Sequence, residues 1–185
     1  EAGHDVAAVV TQPDKPRGRS KSLVFSPVKE EAAAHGITVL QPERARDEAF
    51  VEELRTYNAD VIVVVAFGQL LPASIINMPR YGCINVHASL LPKYRGASPI
   101  QWAVIDGCEY SGVTTMKMDE GLDTGDILMV EKVKLDAKET GGSLFDRLSD
   151  VGAHLLVKTL EGLEAGTITP VKQDDSESTY VKMLH

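Results

Sequence analysis

Short apolar runs alternate along the chain with longer stretches of helical spacing. Residues 5–11 (DVAAVVT) and 60–66 (DVIVVVA) are nearly continuous apolar runs, which predicts strands covered on both faces, the second of them central in a parallel sheet. Between them, Ser26 and Pro27 read as the N-cap and first position of a helix that Gly36 closes. Residues 37–40 read as a short strand. Residues 46–58 carry Ala49, Phe50, Leu54 and Tyr57 at the spacing of an amphipathic helix.

Beyond the second run, residues 73–77 read as a short helix and 83–86 as a strand that enters a polar, then basic, loop. Residues 97–106 read as a helix with Trp102 and Ile105 on its apolar side, stopped by Gly107. Residues 111–118 and 127–135 alternate in polarity, which predicts a more exposed antiparallel addition to the sheet. Leu144, Leu148, Val151, Leu155, Leu156 and Leu163 place a long helix over 140–164, and the polar, acidic stretch 173–185 reads as a tail or linker. The recurring β-α-β order predicts an α/β fold with a doubly wound, mostly parallel sheet, organised as one domain over 1–172. Neither a G-x-G-x-x-G turn nor a P-loop accompanies it.

Composition narrows the partners. The chain has 185 residues with 19 basic and 27 acidic side chains and a net charge of -8, so no bulk attraction to nucleic acid or an anionic membrane is expected. One stretch runs the other way. Residues 12–22 hold Lys15, Arg17, Arg19 and Lys21 against one acid, with two prolines and a glycine, and are expected to lack regular structure and to contact a phosphate backbone. Lys93 and Arg95 are further phosphate candidates. Two cysteines, Cys83 and Cys108, lie in apolar surroundings without metal-ligand spacing, which suits reduced thiols and a cytoplasmic setting. No apolar run is long enough to span a bilayer as a helix.

Candidate chemistry concentrates in residues 83–96. Asn85 and His87 are two apart on a strand, so their side chains share a face and can polarise one carbonyl oxygen from two directions. A histidine in acid–base work is tuned by a carboxylate, and the glycine-flanked loop 119–126 offers Asp119, Glu120, Asp123 and Asp126. Spacing alone does not choose among them. The remaining histidines lack metal-ligand spacing, so no metal is expected.

The run Asn85-Val86-His87-Ala88-Ser89-Leu90-Leu91-Pro92, with Leu122-Asp123-Thr124-Gly125 at a distance, resembles the signature of the folate-dependent formyltransferases. The resemblance extends from Thr11-Gln12-Pro13-Asp14 to Thr179-Tyr180 and implies a Rossmann-like topology. It also implies that a first strand and helix precede Glu1 and that a smaller barrel domain follows His185, with 173–185 as linker. The loop Thr11-Gln12-Pro13-Asp14-Lys15-Pro16-Arg17-Gly18-Arg19 and the Pro27-Val28-Lys29 helix start look like the branch that formylates initiator methionyl-tRNA. Carried over, Asn85, His87 and Asp123 are catalytic. Asn85 and His87 would stabilise the oxyanion, and Asp123 would support a charged imidazole and a proton-carrying water. The donor implied is 10-formyltetrahydrofolate, with folate contacts at Phe67, Gly68, Gln69, Leu70, Leu71, Ser89, Leu90, Pro92, Asp119, Glu120 and Gly121. Lys15, Arg17, Arg19, Lys21 and Arg95 would contact tRNA, and Leu91-Pro92 is a candidate cis peptide. A sugar-nucleotide acceptor, hydrolysis of the formyl donor, or a non-catalytic folate-binding module are the alternatives.

Overall fold

The structure, a computed structural model, describes residues 2–17 and 22–184. In chain order its elements begin with β1 (Val9–Val10), β2 (Lys15–Arg17), β3 (Ser22–Val24), α1 (Pro27–Ala34), β4 (Val39–Leu40), α2 (Glu48–Thr56) and β5 (Ile62–Val64). They continue with α3 (Ala73–Ile76), β6 (Cys83–His87), β7 (Arg95–Gly96), α4 (Pro99–Ile105), β8 (Tyr110–Lys117), β9 (Asp126–Lys134), α5 (Gly141–Glu164) and β10 (Tyr180–Val181). The chain divides into two compact units, one of residues up to 60 together with 67–80, the other of 61–66 together with residues from 81 onward.

In the first unit β1 and β4 pair in parallel, Val9 opposite Val39. Helix α1 starts as its sequence demands, the Ser26 hydroxyl accepting from the Lys29 amide at 3.2 Å with Pro27 in the first turn. Helix α2 buries Phe50 and Val51. Two expectations fail here. Residues 5–7 are exposed, so the apolar run around β1 is not covered on both faces by the described residues. The stretch expected to be irregular forms an antiparallel ribbon instead, β2 with β3, Lys15 opposite Val24 and Arg17 opposite Ser22. A two-stranded ribbon has only edges, which is where a proline such as Pro16 can sit without breaking a ladder.

The second unit holds a four-stranded sheet in the order β5-β6-β8-β9, with β5 and β6 parallel and β6, β8 and β9 antiparallel. Helix α5 lies on one face, and its N-terminus is closed by reciprocal bonds between Thr140 and Ser143. Leu144, Leu148 and Leu155 of α5 join Ile100, Ala103 and Val113 in one core. Gly152 lets α5 approach the sheet: an added Cβ would stand 3.3 Å from a methyl of Val86. Within that contact Thr115 donates to Thr159, which donates to the carbonyl of Leu155, so both buried hydroxyls are satisfied.

Several sequence expectations are corrected in this unit. Strand β5 lies at the end of the four-stranded sheet rather than at its centre, and Val65 just beyond it is 58% exposed. Strand β8, expected to be the more exposed, is buried from Ser111 to Met116. One of its faces meets α5 through Val113 and Thr115, and the other meets residues 89–91 and Gln173 through Thr114 and Met116. Helix α4 buries Ile100 and Ala103, while Ile105 is 60% exposed. Residues 173–181 are not a free tail: β10 pairs in parallel with β7, Tyr180 opposite Arg95. The parallel pairs and antiparallel part together give the mixed α/β architecture that the β-α-β order predicts.

Leu144 is fully buried where α5 meets the sheet. Leu144→Ala should destabilise the natural full-length protein by about 2–5 kcal/mol, read as a lower urea midpoint at unchanged slope.

Candidate active site

Alternation along β6 sends Ile84 and Val86 to one side and Asn85 and His87 to the other. His87 is buried, and its Nε2 lies 2.9 Å from the carbonyl oxygen of Tyr94. A carbonyl can only accept, so Nε2 carries the proton and Nδ1 is left to face the site. Tyr94 has φ +57°, and its phenol is anchored elsewhere, donating to Asp106 at 2.8 Å and lying 3.1 Å from the Cys108 sulfur. Burial, then these two neighbours, push the Tyr94 phenol above its ordinary pKa.

The acid that meets the pair comes from the turn between β8 and β9. Asp123 Oδ1 accepts from the Asn85 amide at 3.3 Å and stands 3.8 Å from His87 Nδ1. Its other oxygen accepts from the Gly96 amide at 2.8 Å. Gly96, at φ +98°, is the residue that the close approach of β10 requires, because an added Cβ would meet the Val181 carbonyl at 2.5 Å. The other acids on the turn do something else. Asp119 accepts from the Gly121 amide at 3.0 Å and from Thr124 at 2.6 Å, closing its own loop, while Glu120 and Asp126 are exposed. Tertiary contact thus selects Asp123 among the four candidates.

Around this cluster the structure revises one assignment. Arg95 is 1% exposed and cannot present its charge to a phosphate. Its guanidinium donates twice to Gln173 Oε1, at 3.0 and 2.8 Å, and to Asp175 and Tyr180. Burial alone would lower its pKa, and the bonds to Asp175 and Tyr180 more than offset that, holding it above the ordinary value. Lys93, two residues earlier, is exposed. Ser89 is likewise 1% exposed, and its hydroxyl closes a turn onto the Lys93 carbonyl at 2.7 Å. Leu90 and Pro92 are half-buried, and the Leu91-Pro92 bond is cis. The residue of this cluster that sequence reasoning missed is Gln173, which joins Arg95 to the Asp123 turn and whose polar neighbours carry no spacing that singles it out.

In the first unit, residues 12–14 and 67–69 are tied together. Gln12 donates to the Phe67 carbonyl at 2.7 Å, and Gln69 donates to Gln12 at 3.4 Å and accepts from the Ala45 amide at 2.7 Å. Gly68 and Leu70 are exposed, while Phe67 and Leu71 are half-buried. Lys29 donates to Asp14 and, at 2.7 Å, to Gln41, and Gln41 donates to Asp14 at 2.9 Å. The bonds from Lys29 and Gln41 hold the Asp14 carboxyl below the usual carboxylate range. This network braces the base of the β2–β3 ribbon, where Lys15 and Arg17 sit; Arg19 and Lys21 lie outside the described residues.

Residues 1–160 match the family described as formyl transferase. The chain belongs to the formyl transferase family. It is 99% identical over 185 residues to the methionyl-tRNA formyltransferase of Lachnospira eligens and 61% identical over 184 residues to that of Agathobacter rectalis. All of the chain is matched in each case, and it spans 59% of the length of either relative. Solved formyltransferases share the fold. Phosphoribosylglycinamide formyltransferase from Bacillus halodurans aligns at TM-score 0.74 and 24% identity, over 87% of this chain and 81% of that one. A formyltransferase from Anoxybacillus kamchatkensis, solved with a formamido sugar nucleotide and tetrahydrofolate, aligns at TM-score 0.68 and 22% identity, over 95% and 85%. No helix among the described residues is long and apolar enough to cross a membrane.

Because Gln173 Oε1 is buried against Arg95, Arg95→Met leaves it without a donor. That substitution should cost about 1–3 kcal/mol of stability, measured by urea unfolding of the natural full-length protein.

Proposed function

We propose that this chain carries the transfer site of an enzyme that moves a formyl group from 10-formyltetrahydrofolate to the α-amino group of initiator methionyl-tRNA. The observation that carries the reaction type is the convergence of the Asn85 amide and His87 Nδ1 on one carboxylate oxygen of Asp123. The acceptor is supported by the names of the relatives at 99% and 61% identity.

The residues present fit a formyl-bearing folate. The Asn85 amide and His87 Nδ1 lie side by side, one a donor as it stands and the other a donor once protonated, as a formyl oxygen requires, and Leu122, 52% exposed beside Asp123, offers apolar surface for a flat ring. Bound 10-formyltetrahydrofolate supplies the formyl carbon. Asn85 has a second N–H beyond the one given to Asp123, and it donates to the formyl oxygen as charge develops there. His87 holds one proton on Nε2 against the Tyr94 carbonyl, so Nδ1 is the nitrogen that exchanges protons with the site. A proton on Nδ1, which at 3.8 Å is too far from Asp123 Oδ1 to be used in a hydrogen bond there, is a second donor for the oxygen. Asp123 compensates that positive charge and orients a water that takes the proton from the attacking amine and passes it to the folate nitrogen, which leaves as tetrahydrofolate when its bond to the formyl carbon breaks. Gly68, Leu70, Asp119, Glu120 and Gly121 are the exposed residues among the folate contacts of this reading. Lys15, Arg17, Arg19 and Lys21 serve the tRNA, because a basic arm in a chain of net charge -8 concentrates attraction where phosphate is to be held.

Asn85→Ala, His87→Ala and Asp123→Ala in the natural full-length protein should each lower turnover by about 10²–10³. Their folate affinity should change little. Near-normal turnover by the His87 variant would sink the reading, and an aminated sugar nucleotide formylated in preference to methionyl-tRNA would replace the acceptor. Reversing the four basic charges at Lys15, Arg17, Arg19 and Lys21 should weaken tRNA binding and reduce its salt slope by about one for each phosphate that is no longer neutralised. An unchanged slope in a binding titration would remove this basic stretch from the tRNA interface.

A further inference from the structure

We infer that Gln173 is a positioning residue for Asp123, setting the carboxylate through the backbone of its turn; the inference rests on the transfer site proposed above. Gln173 is 5% exposed and sits after the short bridge that joins Val171 to Ile127 at the start of β9. Its amide spans two structures. The oxygen accepts from Arg95 Nε and Nη2, and the nitrogen donates to the carbonyls of Asp123, at 2.9 Å, and Gly125, at 2.7 Å. A guanidinium has donors only and a carbonyl only accepts, so the amide has one orientation that satisfies both sides.

The two carbonyls flank Thr124, so one side chain bridges the turn that presents Asp123. That turn needs holding. Asp123 has φ +55°, a left-handed conformation uncommon for residues other than glycine, though least so for Asn and Asp, and contacts to the turn help to hold it. Gly125 is pressed so close to β8 that an added Cβ would stand 1.8 Å from the Lys117 carbonyl. Gln173 supplies the donors from one direction, while Gly96, Asn85 and His87 meet the carboxylate from another. An apolar side chain of the same size would fill the space and leave both carbonyls without their donor. Gln173 bonds neither Asn85 nor His87, so its effect on transfer passes through Asp123.

The test is a double-mutant cycle in the natural full-length protein. Gln173→Glu keeps an acceptor for Arg95 and turns a carboxylate oxygen toward the two carbonyls, so it breaks the loop half alone. Turnover with 10-formyltetrahydrofolate and methionyl-tRNA should fall about ten- to a hundredfold, the effect of a displacement near ~1 Å, with KM for both substrates unchanged. In the Asp123→Asn background the same substitution should cause no further loss. Losses that multiply in the double variant, or a turnover loss accompanied by an equal rise in KM, would overturn the role of Gln173. If Gln173→Glu fails to fold by circular dichroism, the cycle is run with Gln173→Asn, an amide too short to reach both sides, with the same outcomes. Full turnover by Asp123→Asn alone would instead overturn the transfer site itself, a result separate from an additive cycle on an impaired Asp123 variant.

Discussion

The carboxylate of Asp123 is the point on which the second unit converges. Its oxygens face the Gly96 amide from β7 and, from β6, the Asn85 amide and the imidazole of His87, so two consecutive strands meet on one charged group brought from a distant turn. A carboxylate out of water needs such donors, because a buried charge is tolerated only when hydrogen-bonded or paired. The requirement is reciprocal. Two of the groups that meet the charge, Asn85 and His87, are the ones that a formyl oxygen would use, so the stability of the cluster and its proposed chemistry draw on shared side chains.

A second buried charge supports the first. The Arg95 guanidinium lies beneath the surface with donors directed at Gln173, Asp175 and Tyr180, and every buried side-chain nitrogen and oxygen among the described residues has a partner. Residues 173–181 therefore act as a strap. Thr179 accepts from the amides of Tyr94 and Arg95, and β10 runs beside β7, so the turn whose Tyr94 carbonyl fixes His87 is held from outside the sheet. In the first unit the Lys29, Asp14 and Gln41 network does comparable work at the base of the basic ribbon, with the Lys29 ammonium also 4.1 Å from the Phe25 ring centre.

Much of this is legible in the residues alone. Local rules suffice for α1, whose Ser26 cap, Pro27 start and Gly36 stop are each local physical choices, and for α5, whose leucine spacing names the buried face. The period of two on β6 places Asn85 and His87 together. Expectations fail where burial depends on neighbours. The apolar run at residues 60–66 is compatible with a central strand, yet β5 ends the sheet; the alternating run at 111–118 is compatible with an exposed strand, yet β8 is covered on both sides. Composition can describe Arg95 as a surface base because nothing local reveals that Gln173 would cover it.

Backbone periodicity, capping and charge act within a few residues. They are enough to specify the helices and most of the sheet strands, the shared face of Asn85 and His87, the acidic turn that follows β8 and the local excess of base around Lys15, but not the ribbon of β2 and β3 or the pairing of β10. Which acid reaches His87, where the Arg95 charge goes and why Gln173 is an amide were settled by packing. Each of those depends on groups dozens of residues apart whose distances and desolvation exist only once the chain has folded, and pattern along a chain carries no record of them.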